Sequence, residues 1–353
     1  MFILDAAGKI VDVNQQACQS LQYTHDELLK LNITDIFDVS AKEQLPDFLG
    51  ELSTDQPVVF ECAQKRKDQT TFPVDAALKK VELNGEAIFV LTAKDLTERK
   101  KVELKLSTYA KLQAAIAELE QSALTQPPDL TVFLNETVKK SATVLGLDSC
   151  VFFEFSHSKK ALVLRAGVGV KEDLINVLTY TVEDFSKLWD VLIRDGTFII
   201  EDWASEKRFK MPPAMATAHV KSSIGVLVGA AGNPLGVLGG HVHGSKSRIF
   251  GDDEVSYFKS VAILIAQVIE HKNMLDKLRE SEATYRDLFN GMNESAWVIS
   301  FDGKFIDVND AAVRVLGYSR EELLSMGVTD IDNKLSSEQI RDLIERLPSV
   351  KQQ

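Results

Sequence analysis

The chain has 353 residues, 45% of them hydrophobic and 26% charged, which excludes a disordered chain and asks for two or three domains, each with its own core. A net charge of −12 argues against a nucleic-acid partner, which would need clustered Lys and Arg; the most basic run, Arg99 to Lys101, is short. The cysteines Cys18, Cys62 and Cys150 are far apart and form no CxxC pair, as expected in a reducing compartment. The most apolar segment, Ile224 to Gly240, is broken by Gly232-Asn233-Pro234 and reads as two strands around a turn, not a membrane span. No charged start leads into an apolar signal segment, so the expected place of the chain is the cytoplasm.

In chain order, the first element is the stretch AGKIVDVNQQACQSLQYTHDELL, Ala7 to Leu29, which returns without a gap as DGKFIDVNDAAVRVLGYSREELL, Asp302 to Leu324. In the second copy Trp297–Ile299 and Lys304–Val308 are β-prone runs either side of Asp302-Gly303, a dipeptide that favours a hairpin turn. Asn309 stands where a helix begins, with Ala311, Ala312, Val315 and Leu316 at helical spacing and Gly317 able to close it. Ser319 to Glu322 then has the spacing of a capping box, as does Thr24 to Glu27 in the first copy. Only the first copy continues into three further predicted strands, Val58–Cys62, Thr71–Lys79 and Ala87–Thr92, separated by KRKDQT and by a turn at Asn84-Gly85.

From Asp95–Glu98 a long polar helix is predicted, with Val102, Tyr109, Leu112, Ile116, Leu119 and Ala123 as a seam interrupted by Lys105. A different text follows. An amphipathic helix is expected over Asp129–Leu145, on Val132, Phe133, Thr137, Val138 and Val144. Strands are predicted at Cys150–Phe155, Ala161–Ala166 and Thr197–Asp202, then a strand pair through Gly225 and Gly236, then a helix after Asp252-Asp253. That last helix carries a second stripe, Phe258, Val261, Ile265, Val268 and Leu275, broken by Lys272. Each stripe either packs on the neighbouring domain or joins two chains as a coiled coil.

The order of strand, AG or DG turn, strand ending in DVN, Tyr followed by Ser or Thr and then EELL or DELL, with KRKDQTTFPVD and DLTERKK later, resembles a PAS domain. The second copy resembles the first half of one. LVLRAGVG, FIIEDWASEKRF, HVKSSIGVLV, NPLGVLGGHVHG and SRIFGDDEVSYFKSVAILIAQVIE are similar to a GAF domain of bacterial and archaeal sensor proteins. The resemblance implies an α+β fold, antiparallel sheets with flanking helices, joined in series by long helices. The expected boundaries are 1–98 for PAS, 99–123 for a linker helix, 124–270 for GAF, 271–290 for a second linker and 291–353 for the N-terminal half of another PAS domain.

A search for catalytic constellations finds none that holds. Gly167-Val-Gly169 lacks a third glycine and no GKS or GKT follows a glycine run. His241 and His243 share one face of a strand and would need a third ligand such as His219 to hold a metal; ordinary strand residues are the simpler reading. Cys150 suggests a tetrapyrrole ligand, but no Cys-His pair exists and a buried structural thiol fits better. Asn32–Pro57 contains no His, Cys or Met where haem-binding PAS domains place their ligand, so haem stays an option that nothing indicates and the cofactor is unknown. His25 and His271 read as surface residues, and Asp5, Asp12, Asp35 and Asp307 as turn and cap residues. Ser222-Ser223 has no nucleophile elbow, and neither a phospho-accepting His motif, ATP-binding boxes, GGDEF nor EAL is found.

The expected role is therefore non-catalytic. The resemblance implies the sensory and dimerising region of a signalling protein, a homodimer through its linker helices, serving an effector that is a histidine kinase or, alternatively, a diguanylate cyclase or phosphodiesterase. A small ligand would enter the GAF pocket at Cys150, Phe152, Trp203, Phe209, Met215, His219 and His241, or the PAS pocket at Phe2, Leu4, Val13, Leu21, Phe60 and Leu91. The competing readings are a protein–protein interaction module and a cyclic-nucleotide sensor, for which only Phe250 and Asp253-Glu254 match the family pattern.

Overall fold

The computed structural model describes residues 1–38, 56–83, 86–124, 129–245 and 247–331. The Asn84-Gly85 turn, most of the Asn32–Pro57 stretch, positions 125–128 at the start of the expected GAF segment and the second PAS copy beyond Ile331 lie outside the described residues. The chain divides into two compact units, Met1–Ala117 and Glu118–Gln353.

The first unit holds β1 (Phe2–Leu4), β2 (Ile10–Val13), α1 (Gln15–Leu21), α2 (His25–Leu28), β3 (Val58–Lys65), β4 (Thr71–Leu83) and β5 (Glu86–Asp95). They form one antiparallel sheet in the order β2-β1-β5-β4-β3. In β4 Phe72, Val74, Ala76 and Leu78 are buried and the residues between them are not, which is the period of two that sends alternate side chains to one face. That face packs on Leu21, Leu28, Ile33 and Ile36; each fully buried aliphatic side chain contributes about 1.5–3 kcal/mol. Gly8 supplies the positive φ of 78° that the β1–β2 turn needs, and Thr24 and Glu27 close the reciprocal cap of α2.

α3 (Thr97–Leu124) starts on Asp95, whose carboxylate accepts the Thr97 N–H at 2.7 Å. Glu98, in its first turn, pairs with Lys101 at 3.0 Å. Of the predicted seam, Leu112 and Leu119 are buried, whereas Val102 and Tyr109 are exposed along with Leu104 and Leu106.

In the second unit α4 (Leu130–Leu145) is capped by Asp129 and closed by Gly146. It buries Phe133, Leu134, Thr137, Val138 and Leu145; Val132 is exposed, contrary to expectation, because the buried stripe runs one position later. β6 (Ser149–Ser156), β7 (Ala161–Val168), β8 (Thr179–Thr181), α5 (Ser186–Asp195), β9 (Thr197–Ile200), α6 (Pro213–Thr217), β10 (Val220–Ala230) and β11 (Asn233–His243) follow. The sheet order is β8-β7-β6-β11-β10-β9, every pair antiparallel. α4 and the first half of α7 (Asp252–Gly291) pack against the sheet and each other, while α5 and α6 lie against β9 and β10.

The 40 residues of α7 are used in two ways. Phe258, Val261, Ile265 and Val268 are buried in the packing of α7 on the sheet, so this stripe belongs to the domain core and not to a seam between chains. Beyond Ile269 the exposed apolar residues are Met274, Leu278, Tyr285 and Leu288, spaced by four, seven and three.

The last turn of α7 reaches the second copy of the repeat, where β12 (Trp297–Ile299) and β13 (Phe305–Val308) form the predicted hairpin around Gly303, φ 86°. Asn309 caps α8 (Asp310–Leu316), Gly317 ends it, and Ser319 and Glu322 cap α9 (Arg320–Leu324), ahead of α10 (Val328–Ile331). Ala311 and Ala312 are buried, but Val315 is 73% exposed. Asn309 is fully buried and spends its whole amide: Oδ1 accepts from Ala296 and Ala312 N–H at 2.9 Å, and Nδ2 donates to the Phe289 and Glu294 carbonyls at 3.1 and 2.8 Å. One side chain thereby ties α7, the incoming strand and α8 together. In the first copy β1 also pairs with β5, and Phe2 and Leu4 are 1% and 0% exposed; β12 has no such neighbour among the described residues, and Trp297 and Ile299 are 40% and 38% exposed.

Candidate functional site

The face of the second unit's sheet that carries α5 and α6 encloses a hollow of about 50 Å3. Its floor is Val151 and Phe153 of β6, Leu162 of β7, and Val237, Gly239 and His241 of β11. Leu188 and Leu192 of α5 form one wall, and Tyr180, Phe185, Pro212 and Met215 close the rest. The cause is strand geometry. β11 pairs Gly239 with Val151 of β6 and His241 with Ser223 of β10, so these positions share a face. Gly239 makes the room: a Cβ there would stand 3.2 Å from Val151 Cγ2 and 3.4 Å from His241 Nε2.

His241 is 4% exposed and is the one imidazole among the described residues lining the hollow. Its Nδ1 lies 3.0 Å from Ser223 Oγ, and Ser223 Oγ accepts the indole N–H of Trp203 at 2.7 Å. Burial, and secondarily the neighbouring His243, push the His241 pKa down to about 4, so the ring is neutral near pH 7. Burial likewise raises the Tyr180 phenol, against a backbone hydrogen bond from Ala214 on α6 that acts the other way. His243 turns to Ser149 Oγ, 2.9 Å from its Nε2.

The residues expected in the GAF pocket separate. Met215 and His241 line the hollow. Trp203 is buried in the same core but acts at one remove, through Ser223. Cys150 and Phe152 are corrected to the opposite face: they alternate with Val151 and Phe153, and Cys150 pairs with Gly240, whose Cβ would meet Phe258 of α7. Burial there drives the Cys150 thiol up to about 12, as for an inert structural cysteine. Phe209 packs beside the core without reaching the hollow, and lines a surface cleft with Phe185 and Leu188. His219 is exposed, at φ 53°, and offers its carbonyl to Gly244 N–H. It therefore does not complete a histidine triad; among the described residues no three His, Cys, Asp or Glu gather as metal ligands. Nor does the hollow fit haem, since small-molecule pockets of that class run to hundreds of Å3.

All six residues expected in the PAS pocket meet in one cluster: Phe2, Leu4, Val13, Leu21 and Leu91 are buried there and Phe60 packs against it, half-buried on the outer strand β3. Ser223, Val151, Phe153 and Tyr180 were missed. For the first three, strand parity counted outward from His241 was the signal; no local signal marks Tyr180.

Comparison with known proteins agrees with this architecture. Residues 1–98 match the PAS domain, 129–271 the GAF domain and 283–348 a PAS domain again. The methyl sulfide methyltransferase-associated sensor of Methanosarcina acetivorans is 33% identical over 103 residues, 29% of this chain and 10% of that protein. Sporulation kinase E of Bacillus subtilis is 21% identical over 331 residues, 93% of this chain and 37% of that protein. The chain thus spans about a third or less of the length of these relatives. Among solved structures, the GAF domain of a phosphoenolpyruvate-protein phosphotransferase from Coxiella burnetii is 18% identical, covering 48% of this chain and 98% of that one with a TM-score of 0.42. The chain carries PAS, GAF and PAS domains in series, and its role is a sensory one in signal transduction. Among the described residues no helix is long and apolar enough to cross a membrane.

Proposed function

We propose that the chain is the cytoplasmic sensory and dimerising region of a histidine kinase, divided at 1–98, 99–123, 124–270, 271–290 and 291–353. A small molecule in the GAF hollow, held at Met215 and His241 with Trp203 behind, changes how α5 and α6 close on the sheet. Because the same sheet carries the first half of α7 on its other face, the ligand favours one of two packings of that helix, by its differential affinity for them. The PAS cluster of Phe2, Leu4, Val13, Leu21, Phe60 and Leu91 offers a second place for a ligand.

The observation that carries this reading is the continuity of α7, one helix that begins in the GAF core and ends hydrogen-bonded to Asn309 of the second PAS copy. Its exposed residues Met274, Leu278, Tyr285 and Leu288 recur at the spacing that two parallel helices use to pair, and a second copy of the chain is the natural occupant. Similarity to sporulation kinase E along 93% of the chain supports a kinase as the effector.

The test is the double variant Leu278→Glu and Leu288→Glu. Both residues are more than 60% exposed in the single chain, so its fold should be kept, read as unchanged far-ultraviolet circular dichroism, while sedimentation changes from dimer to monomer. A parent chain that already sediments as a monomer, or a variant that stays dimeric, overturns the dimerising role assigned to α7.

A further inference from the structure

The surface cleft beside the hollow carries charge that the reading of the hollow does not use. Lys187, near the start of α5, and Lys207, Arg208 and Lys210, between β9 and α6, line this one depression of about 350 Å3. Arg208 is already engaged: its Nε and Nη2 donate to the two carboxylate oxygens of Glu206 at 3.0 and 2.6 Å, and its guanidinium lies 4.9 Å from the centre of the Phe209 ring. Asp184, the one acid lining the cleft among the described residues, accepts the Thr181 hydroxyl at 2.7 Å and the Thr181 N–H at 2.9 Å. Those two bonds first, and Lys210 after them, hold its carboxyl below the usual carboxylate range. Lys187, Lys207 and Lys210 are exposed, and among the described residues they make no ion pair and no side-chain hydrogen bond. Three ammonium groups therefore border one depression against one carboxylate, on a chain whose net charge is −12. The rest of the lining is apolar: Phe185, Leu188 and Phe209, of which Phe185 and Leu188 also line the hollow.

We propose that this cleft is a second ligand site of the GAF domain, for a small organic anion. A carboxylate or phosphate group sits among Lys187, Lys207 and Lys210, each acting as a point charge, and the apolar group that carries it lies on Phe185, Leu188 and Phe209. A volume of about 350 Å3 is that of a small-molecule pocket. An extended polyanion would have to lie along a chain that is acidic overall, whereas a small anion meets only the local cluster. The proposal goes beyond the reading of the hollow and does not depend on what enters it.

The experiment is calorimetric titration of the full chain at low ionic strength with three probes: phenyl phosphate, which has both parts, inorganic phosphate, which has only the charge, and benzyl alcohol, which has only the ring. Phenyl phosphate should bind more tightly than either of the others, and added salt should weaken it. Lys187→Gln, Lys207→Gln and Lys210→Gln combined should weaken it about tenfold, since each exposed charge contact contributes modestly. Lys159→Gln, Lys171→Gln and Lys259→Gln combined change the net charge equally on exposed lysines that do not line the cleft, and should leave binding unchanged. All six positions are exposed, so both triple variants should keep the fold of the parent. Phenyl phosphate that does not bind the parent, or that binds the two triple variants alike, overturns the proposal. Inorganic phosphate that binds as tightly as phenyl phosphate overturns the ligand class, because the apolar lining then contributes nothing. Association of the chain with vesicles of anionic phospholipid, without binding of phenyl phosphate, overturns it in favour of a membrane surface.

Discussion

Holding His241 neutral couples the GAF domain's stability to pH, and the coupling has a sign. The ring's pKa falls from 6.5 to about 4 on folding, because the hollow and the sheet strip its water and His243 stands beside it. The other charge near this corner is Asp148, whose carboxylate accepts the His243 N–H at 2.8 Å; Ser223, Trp203 and Tyr180 are neutral. Between pH 6.5 and about 4 the unfolded chain binds a proton that the folded one refuses, so stability falls as the pH falls through that window. Above 6.5 the group contributes no slope, and below 4 the loss is complete. The gap corresponds to about 3 kcal/mol. The assay is urea unfolding followed by tryptophan fluorescence in a Trp297→Phe background, which leaves Trp189 and Trp203, both in the GAF core, as reporters. Between about pH 7.5 and about pH 4 the parent should lose about 3 kcal/mol more than the same protein carrying His241→Leu, since comparing the two cancels every other titrating group. Equal losses in the two proteins, or a His241 that titrates near 6.5 in the native chain, would refute the burial argument.

Two further outcomes follow from single side chains. Asn309→Ala takes the side-chain partner from four backbone groups, in two buried and two part-buried hydrogen bonds, and should cost the second PAS copy about 3 kcal/mol, read as lost hydrogen-exchange protection over residues 297–316; Asn309→Asp, which keeps the two accepting bonds, should lie between. Unchanged protection in the alanine variant would mean that α7 is not fastened there. Gly239→Ala needs no unusual backbone but brings a Cβ to 3.2 Å from Val151 Cγ2 and should cost about 1–2 kcal/mol; its methyl group takes much of a 50 Å3 hollow, so binding of a small molecule there should be lost, and retained binding would place the ligand elsewhere.

Local chemistry was legible wherever neighbours in sequence are neighbours in space. The caps at Thr24, Asn309 and Ser319, the hairpin at Gly303 and the strand pair flanking Gly232 depend on residues a few positions apart, and the structure has each of them. The PAS cluster was legible for a related reason, since alternation along β1, β4 and β5 marks the inward face of a sheet that is covered on one side. The GAF sheet is covered on both faces, so β6 reads as the unbroken apolar run Cys150–Phe153 and alternation disappears. Nothing in that run says which face holds the hollow, which is why Cys150 and Phe152 were placed there in error.

The sequence by itself determined the repeat and the polar turns between its strands, because periodicity and capping act over a few residues, while its resemblance to PAS and GAF domains implied the three domains. Only the tertiary structure decided which apolar stripe of α7 is spent inside its own domain and which stays exposed, since the two have the same spacing and differ in what the sheet covers. It alone brought Trp203, Ser223 and His241 into one hydrogen-bonded line across β10 and β11, from residues 18 and 20 positions apart.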